Sequence, residues 1–326
     1  MTSLNDQFTT FSPPEIAEVR RQELSGHFGG IGVTIDLNEN NEIVVVMVIP
    51  GNPADQAGIE VGDVFREVDG TSVIGWTTDM LGAQVRGELG TLVRLTMYRP
   101  SEGSTYEVNV RRAIIEIPTV FTEQRGDIGY MRLSTFSGVA SEQMEQQIAA
   151  LLEDGIEALV LDLRGNGGGL LEQAVEVADL FLPEGVVLTQ RNADGSERVY
   201  RSDDGDVAEE IPLVVLIDGG SASASEVVAG ALQDRDRAEL IGQQTFGKGV
   251  VQRVYNLTDG SQLRVVSSAW YTPEDRAIQD TGLVPDVLVA ERFAPAAPGE
   301  DPLDLFVETA VSYFERTLGI EGDSAD

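Results

Sequence analysis

The chain has 326 residues, a formal net charge of −33 and a pI near 4.1. That surplus of carboxylates argues against a nucleic-acid partner or an anionic membrane surface, since both require basic surface. The sequence has no cysteine and one histidine, His27, so thiol nucleophiles, cysteine-ligated zinc and multi-histidine metal sites are excluded.

An apolar content of 42% supports real cores, and the length suggests two or three domains. Met1–Asp6 carries no basic and apolar leader, so no signal peptide is expected in this chain. No run approaches the ~18 consecutive apolar residues of a membrane span. Residues 1–28 read as an N-terminal helical segment in which Ser12 caps a helix entered through Pro13-Pro14 and ending near Leu24. His27 then falls in a Gly-rich loop.

Residues 29–113 read as a small β-rich domain. Strands are expected at Gly29–Val33, Ile43–Ile49, Val64–Val68, Leu92–Tyr98 and Tyr106–Val110, with a helix from Thr77 or Thr78 to about Gly87. Residues 114–292 alternate strands and helices. Ile128–Leu133, Glu157–Leu163 and Leu213–Ile217 are apolar strands, while Val139–Leu152, Leu170–Leu182 and Val227–Leu232 carry helical periodicity. This order predicts an α/β core with a partly parallel sheet. Arg191–Glu210, with Asp203-Asp-Gly-Asp206, reads as a solvated loop rather than a calcium site. Val250–Leu257 reads as a strand, 263–289 as largely β, and 293–326 as a linker, a helix from Asp301 to Leu318 and a frayed acidic tail.

Two features carry the chemistry. Ser221-Ala-Ser223-Ala-Ser225-Glu226 forms a tight turn between the Leu213 strand and a helix, where helix N–H groups favour negative charge. A serine there is placed to attack a carbonyl, with adjacent amides for the oxyanion. The same letters also spell a capping box, Ser223-x-x-Glu226, in which the serine only satisfies helix amides. The second feature is Lys248, the only lysine of the sequence, on a turn between Gly247 and Gly249. Lysine can lose its proton when buried and arginine cannot, so Lys248 is a candidate base. A Ser-His-Asp arrangement would have to use His27. Gly242-Gln-Gln-Thr-Phe-Gly247-Lys248 imitates a P-loop, but Gly249 replaces the required Ser or Thr and a strand follows where a helix should.

The stretch "NPADQAGIEVGDVFREVDG" after "GGIGV" resembles a PDZ domain. That resemblance implies strand addition by the free carboxyl terminus of a polypeptide, with Gly30, Ile31, Gly32 and Val33 at the carboxylate. The strings "LDLRGNGGGLL", "GGSASASEVVAGALQD", "TFGKGVVQ" and "YTPEDRAIQDTGLVPDV", in this order around a PDZ domain, resemble the carboxyl-terminal processing proteases from about Leu4 to Val289. The resemblance implies a crotonase-like ββα core of α/β (α+β) class and serine endopeptidase activity. It places the nucleophile on Ser223, the base on Lys248, a base-positioning glutamine on Gln252 and an acidic neighbour on Glu226. The oxyanion amides fall on Ala224 and, of the Gly167–Gly169 run, on Gly169. It implies no cofactor and no metal, polypeptide substrates with accessible C-termini, and an extracytoplasmic (periplasmic or cell-surface) location; the oligomeric state is left open. The family usually has Gly-Arg-Ser-Ile-Gln where this sequence has Asp275-Arg-Ala-Ile-Gln279, a difference assigned to a surface turn. The alternative is a PDZ peptide-binding adaptor with an inactive protease-like fold.

Overall fold

The computed structural model describes residues 6–294 and 302–320. The chain divides into two compact units, one from Met1–Gly26 with Pro118–Asp326 and one from His27–Ile117.

The larger unit is built on a six-stranded sheet. Its order is Val120–Arg125, Ile128–Leu133, Ala158–Asp162, Leu213–Ile217, Glu239–Gly242, Val287–Leu288, with the first pair antiparallel and the others parallel. Ala158–Asp162 and Leu213–Ile217 are buried along their whole length. The cause is that helices cover both faces, which is why these strands read as unbroken apolar runs rather than alternating ones. Leu159, Leu161, Val215 and Ile217 pack with helices Ala140–Glu153, Leu171–Asp179 and Ala224–Asp234. Val160, Val214 and Leu216 point to the other face, against Phe306, Ala310 and Phe314 of helix Leu305–Leu318. Asp304 caps that helix by accepting the Phe306 amide, and Arg164, buried with Asp162, binds both Asp304 oxygens. The mixed α/β class expected from the sequence is the one observed.

A second, antiparallel sheet runs Thr10–Ser12, Gln262–Tyr271, Gly185–Asn192, Glu197–Ser202, with Val250–Asn256 also paired to Gln262–Tyr271. Two sequence expectations fail here. Arg191–Glu210 is not one solvated loop: Gly185–Asn192 and Glu197–Ser202 form a hairpin turned at Asp194-Gly195, where Gly195 has φ 83°. Its polarity reflects exposure on both faces of the second strand, where Glu197, Arg198, Val199 and Arg201 are all exposed. The later acidic stretch satisfies backbone amides, with Gly205 and Asp206 N–H donating to Glu209 Oε1. Ser12 is not a helix cap. It ends the strand Thr10–Ser12, its hydroxyl accepts from Arg20 at 2.7 Å, and Pro13 occupies the cap position of helix Pro14–Ser25.

The N-terminal segment is therefore integral to the larger unit. The region 263–289 is less β than expected, with strands only at Gln262–Tyr271 and Val287–Leu288. The helix expected from Asp301 runs Leu305–Leu318; Asp301, residues 295–299 of the linker and the acidic tail lie outside the described residues.

The smaller unit holds a sheet ordered Val33–Leu37, Ile43–Val48, Val64–Val68, Leu92–Arg99, Ser104–Arg111, with helix Thr78–Val85 and short helix Pro53–Gln56. His27 lies in a strand, His27–Gly30, paired with Ala113–Glu116, not in a loop. The expected strand Gly29–Val33 is broken at Ile31-Gly32, where Gly32 takes φ 82° and a Cβ would lie 2.4 Å from the Asn52 Cβ.

Candidate active site

Ala158–Asp162 and Leu213–Ile217 are adjacent parallel strands, so the loops leaving their carboxyl ends emerge side by side, the usual place for a site in an open α/β sheet. One loop is the Gly165–Gly169 run and the other is the serine turn. Asn166 stitches them together. Its carbonyl accepts from Ala222 N–H and Ser225 Oγ, its Oδ1 accepts from Gly168 N–H, and its Nδ2 donates to the Leu133 carbonyl.

The three serines of the turn divide by environment. Ser221 and Ser225 are fully buried, and their hydroxyls donate to the carbonyls of Leu163 and Asn166 at 2.8 Å. Ser223 alone of the three lines a cavity of about 760 Å³. Its backbone has φ 57° and ψ −112°, far from the extended conformation of an ordinary helix cap. Such a conformation costs a non-glycine residue about 1–3 kcal/mol and lifts the side chain out of a strand-to-helix turn.

Gly168 faces this serine. A Cβ there would stand 2.9 Å from the Ser223 Cβ and 3.0 Å from Ala224 N, at φ 101°. The Gly168 amide is already bound to Asn166. By contrast, the amides of Gly169 and Ala224 donate to no group among the described residues.

The second sheet and the loop before it bring Lys248 and Gln252 to the same cavity. Lys248 Nζ donates to Gln252 Oε1 at 3.1 Å, and Gln252 Nε2 donates to the Phe8 carbonyl, beside a shift in strand register between Val251 and Gln252. The Phe8 ring lies 5.6 Å from Nζ. Among the described residues no carboxylate pairs with the amine, and no hydrogen bond joins it to Ser223 Oγ. Burial pushes the Lys248 amine below its ordinary value, and the charge of Arg264 acts in the same direction against a weaker opposing pull from Glu226.

Glu226 is fully buried, and its carboxylate is held by neutral donors. Oε2 accepts from the amides of Ser223 at 2.7 Å and Lys248 at 2.9 Å; Oε1 accepts from the Gly247 amide and Thr245 Oγ1, each at 2.6 Å. One carboxylate thus ties the serine turn to the lysine turn. The link to the Ser223 amide is also half of the capping box, so the capping pattern and the site use the same bond. Asn166, Gly168 and Thr245 were not singled out in the sequence; only the glycine run and the small residues around them hinted at close backbone approach. Gln279 is a further omission. Its Oε1 accepts from Gly249 N–H at 2.9 Å, so the Asp275–Gln279 turn braces the lysine loop rather than standing apart from it. Asp275 takes φ 63°, a conformation that glycine adopts freely and Asp tolerates.

In the smaller unit, Val33–Leu37 is the edge strand of its sheet. The carbonyls of Ile31 and Gly32 accept from Ala54 and Ile49 N–H, while their own amides donate to nothing among the described residues. Gly30 ends the strand His27–Gly30 and Val33 opens the edge strand. His27 belongs to this unit, and Ser223 to the other. Among the described residues no group of three or more His, Asp or Glu residues is arranged to hold a metal.

Residues 127–289 match the model of peptidase family S41, and residues 29–110 match a PDZ domain. The sequence is 38% identical to a carboxy-terminal-processing protease of Bartonella bacilliformis, over 91% of this chain and 69% of that protein. It is 32% identical to a carboxyl-terminal-processing protease of Synechocystis sp., over 100% of this chain and 77% of that protein. The solved structure of a photosystem II D1 C-terminal processing protease superposes with a TM-score of 0.54 at 33% identity, covering 88% of this chain and 79% of that one. By its sequence, its fold and these relatives, the chain belongs to the S41 family of carboxyl-terminal processing serine proteases and carries a PDZ domain.

Proposed function

We propose that the protein hydrolyses peptide bonds with Ser223 as nucleophile and Lys248 as general base, on polypeptides whose free C-termini are held by the smaller unit. The observation that carries this reading is the pairing of Lys248 with a neutral partner. An amine bonded to Gln252, half-buried and with no carboxylate paired to it among the described residues, loses its proton more easily than an exposed lysine, and it shares a cavity with a strained, cavity-facing serine. Neutral Lys248 takes the Ser223 proton, Ser223 Oγ attacks the carbonyl carbon, and the amides of Ala224 and Gly169 receive the oxyanion. The lysine then protonates the leaving amine, and water, deprotonated by the same lysine, releases the acyl group from Ser223. Gln252 orients the amine, and Glu226 sets the spacing of the two turns.

For the smaller unit, the unengaged amides of Ile31 and Gly32 beside an edge strand suit capture of a terminal carboxylate by Gly30–Val33 and strand addition along Val33–Leu37. Family membership supports an extracytoplasmic site of action, which cell fractionation tests. The peptidase assignment is tested by incubating wild type and Ser223→Ala with an unstructured protein and following fragments by mass spectrometry. Cleavage by wild type alone is expected. Equal cleavage by both refutes the nucleophile, and no cleavage by either favours a peptide-binding adaptor.

A further inference from the structure

In a protein of net charge −33, the cavity at Ser223 is lined by four arginines, Arg20, Arg198, Arg253 and Arg264, by Lys248, and by two carboxylates, Glu23 and Glu172. Arg20, Arg264 and Lys248 are half-buried, whereas both carboxylates are exposed. None of these five basic residues forms an ion pair among the described residues; of the seventeen other arginines, eight do. Arg20 is held by the Ser12 hydroxyl at 2.7 Å and Arg264 Nε by Gln262 Oε1 at 3.0 Å, neutral partners that position a guanidinium without discharging it. Arg264 lies on the strand that pairs with Thr10–Ser12, and Arg20 lies on helix Pro14–Ser25, which follows that strand. Burial and the neighbouring charge of Arg20 both press the Arg264 guanidinium below its ordinary value. Like charges gathered in a partly desolvated site are unfavourable until an anion joins them.

We propose that the cavity selects polypeptide segments bearing an Asp or Glu beside the scissile bond, with the guanidinium groups of Arg20 and Arg264 receiving that carboxylate. The inference rests on the peptidase reading above and names its substrate class. Arginine is suited to the task because its planar donor fork matches a carboxylate. Away from the cavity the protein's own charge repels acidic polypeptides, so a preference for them must arise locally.

The test uses the full-length protein and an unstructured carrier of constant C-terminus. A central cassette carries Asp and Glu, their amides Asn and Gln, or Arg at matched positions. In wild type at low salt the acidic cassette should be cut on the order of tenfold faster than the amide cassette, as one or two charge-assisted hydrogen bonds allow. The ratio should fall toward one at about 0.5 M salt, where exposed charges are screened. Arg20→Gln with Arg264→Gln should abolish the preference; the ratio of the two cassettes within one variant cancels general loss of activity. If the double variant does not fold, the salt dependence in wild type decides alone. Equal or slower cutting of the acidic cassette by wild type overturns the proposal, as does a preference that survives in the folded double variant. Cleavage of every cassette by Ser223→Ala would instead overturn the peptidase reading, and this inference with it.

Discussion

Replacing Glu226 probes how the site is assembled. Its two oxygens accept four hydrogen bonds, from the amides of Ser223, Gly247 and Lys248 and from the Thr245 hydroxyl, all at a fully buried position. Glu226→Ala leaves those donors facing a void. Each unsatisfied buried donor costs about 1–3 kcal/mol, but the costs are not additive, because a water or a small backbone shift can serve some of them. A total of about 3–5 kcal/mol follows, and at about 2 °C per kcal/mol for a protein of this size the melting temperature should drop by roughly 6–10 °C. Glu226→Gln is more informative, since it preserves shape. Its remaining carbonyl oxygen can keep the amides of Ser223 and Lys248, while its NH₂ can donate to Thr245 Oγ1 but meets the Gly247 N–H head-on. A smaller stability loss is expected, with a disproportionate loss of turnover, since a shift of about 1 Å between nucleophile and base costs on the order of 10²-fold in rate. Thermal denaturation and kcat/KM on one peptide measure both. A Glu226→Ala variant that melts with wild type and retains its kcat would refute the argument that this carboxylate spaces the two turns.

Three further outcomes are expected. Lys248→Arg should fold and still bind peptide yet be nearly as inactive as Lys248→Ala, because a guanidinium cannot accept a proton at working pH; for wild type, the rate should rise with pH as the amine deprotonates, with a midpoint below the ordinary lysine value, since burial and Arg264 both lower it. Proteolysis by the arginine variant at wild-type speed would eliminate Lys248 as the base. Gly168→Ala puts a methyl group 2.9 Å from the Ser223 Cβ and forces φ 101° on an L-residue, so kcat should fall on the order of 10²-fold, and an unchanged kcat would show that the two loops are not held close in solution. A peptide with a free C-terminus should bind more tightly than its amide, and equal affinities in a calorimetric titration would count against carboxylate capture at Ile31 and Gly32.

Much of the molecule was legible in one dimension because its signals are local. Ala158–Asp162 and Leu213–Ile217 announce themselves as central parallel strands by being apolar throughout, and the absence of cysteine and near-absence of histidine and lysine narrow the chemistry to few side chains. Glycine runs mark where backbones must approach closely. The polar hairpin Gly185–Ser202 reads as a loop over much of its length because its pairing partner, Gln262–Tyr271, lies far along the sequence, and a strand exposed on both faces, as Glu197–Arg201 largely is, carries no apolar alternation. The same limit applies within the site. That Ser221 and Ser225 are tied to carbonyls while Ser223 is strained and cavity-facing depends on Leu163 and Asn166, which belong to a different strand and loop well upstream. Residue types and their order along the sequence settled which groups could react. Long-range packing decided which serine meets the cavity, which oxygen holds the lysine turn, and which four arginines come together around that cavity, since burial and charge neighbourhood exist only once distant segments are in contact.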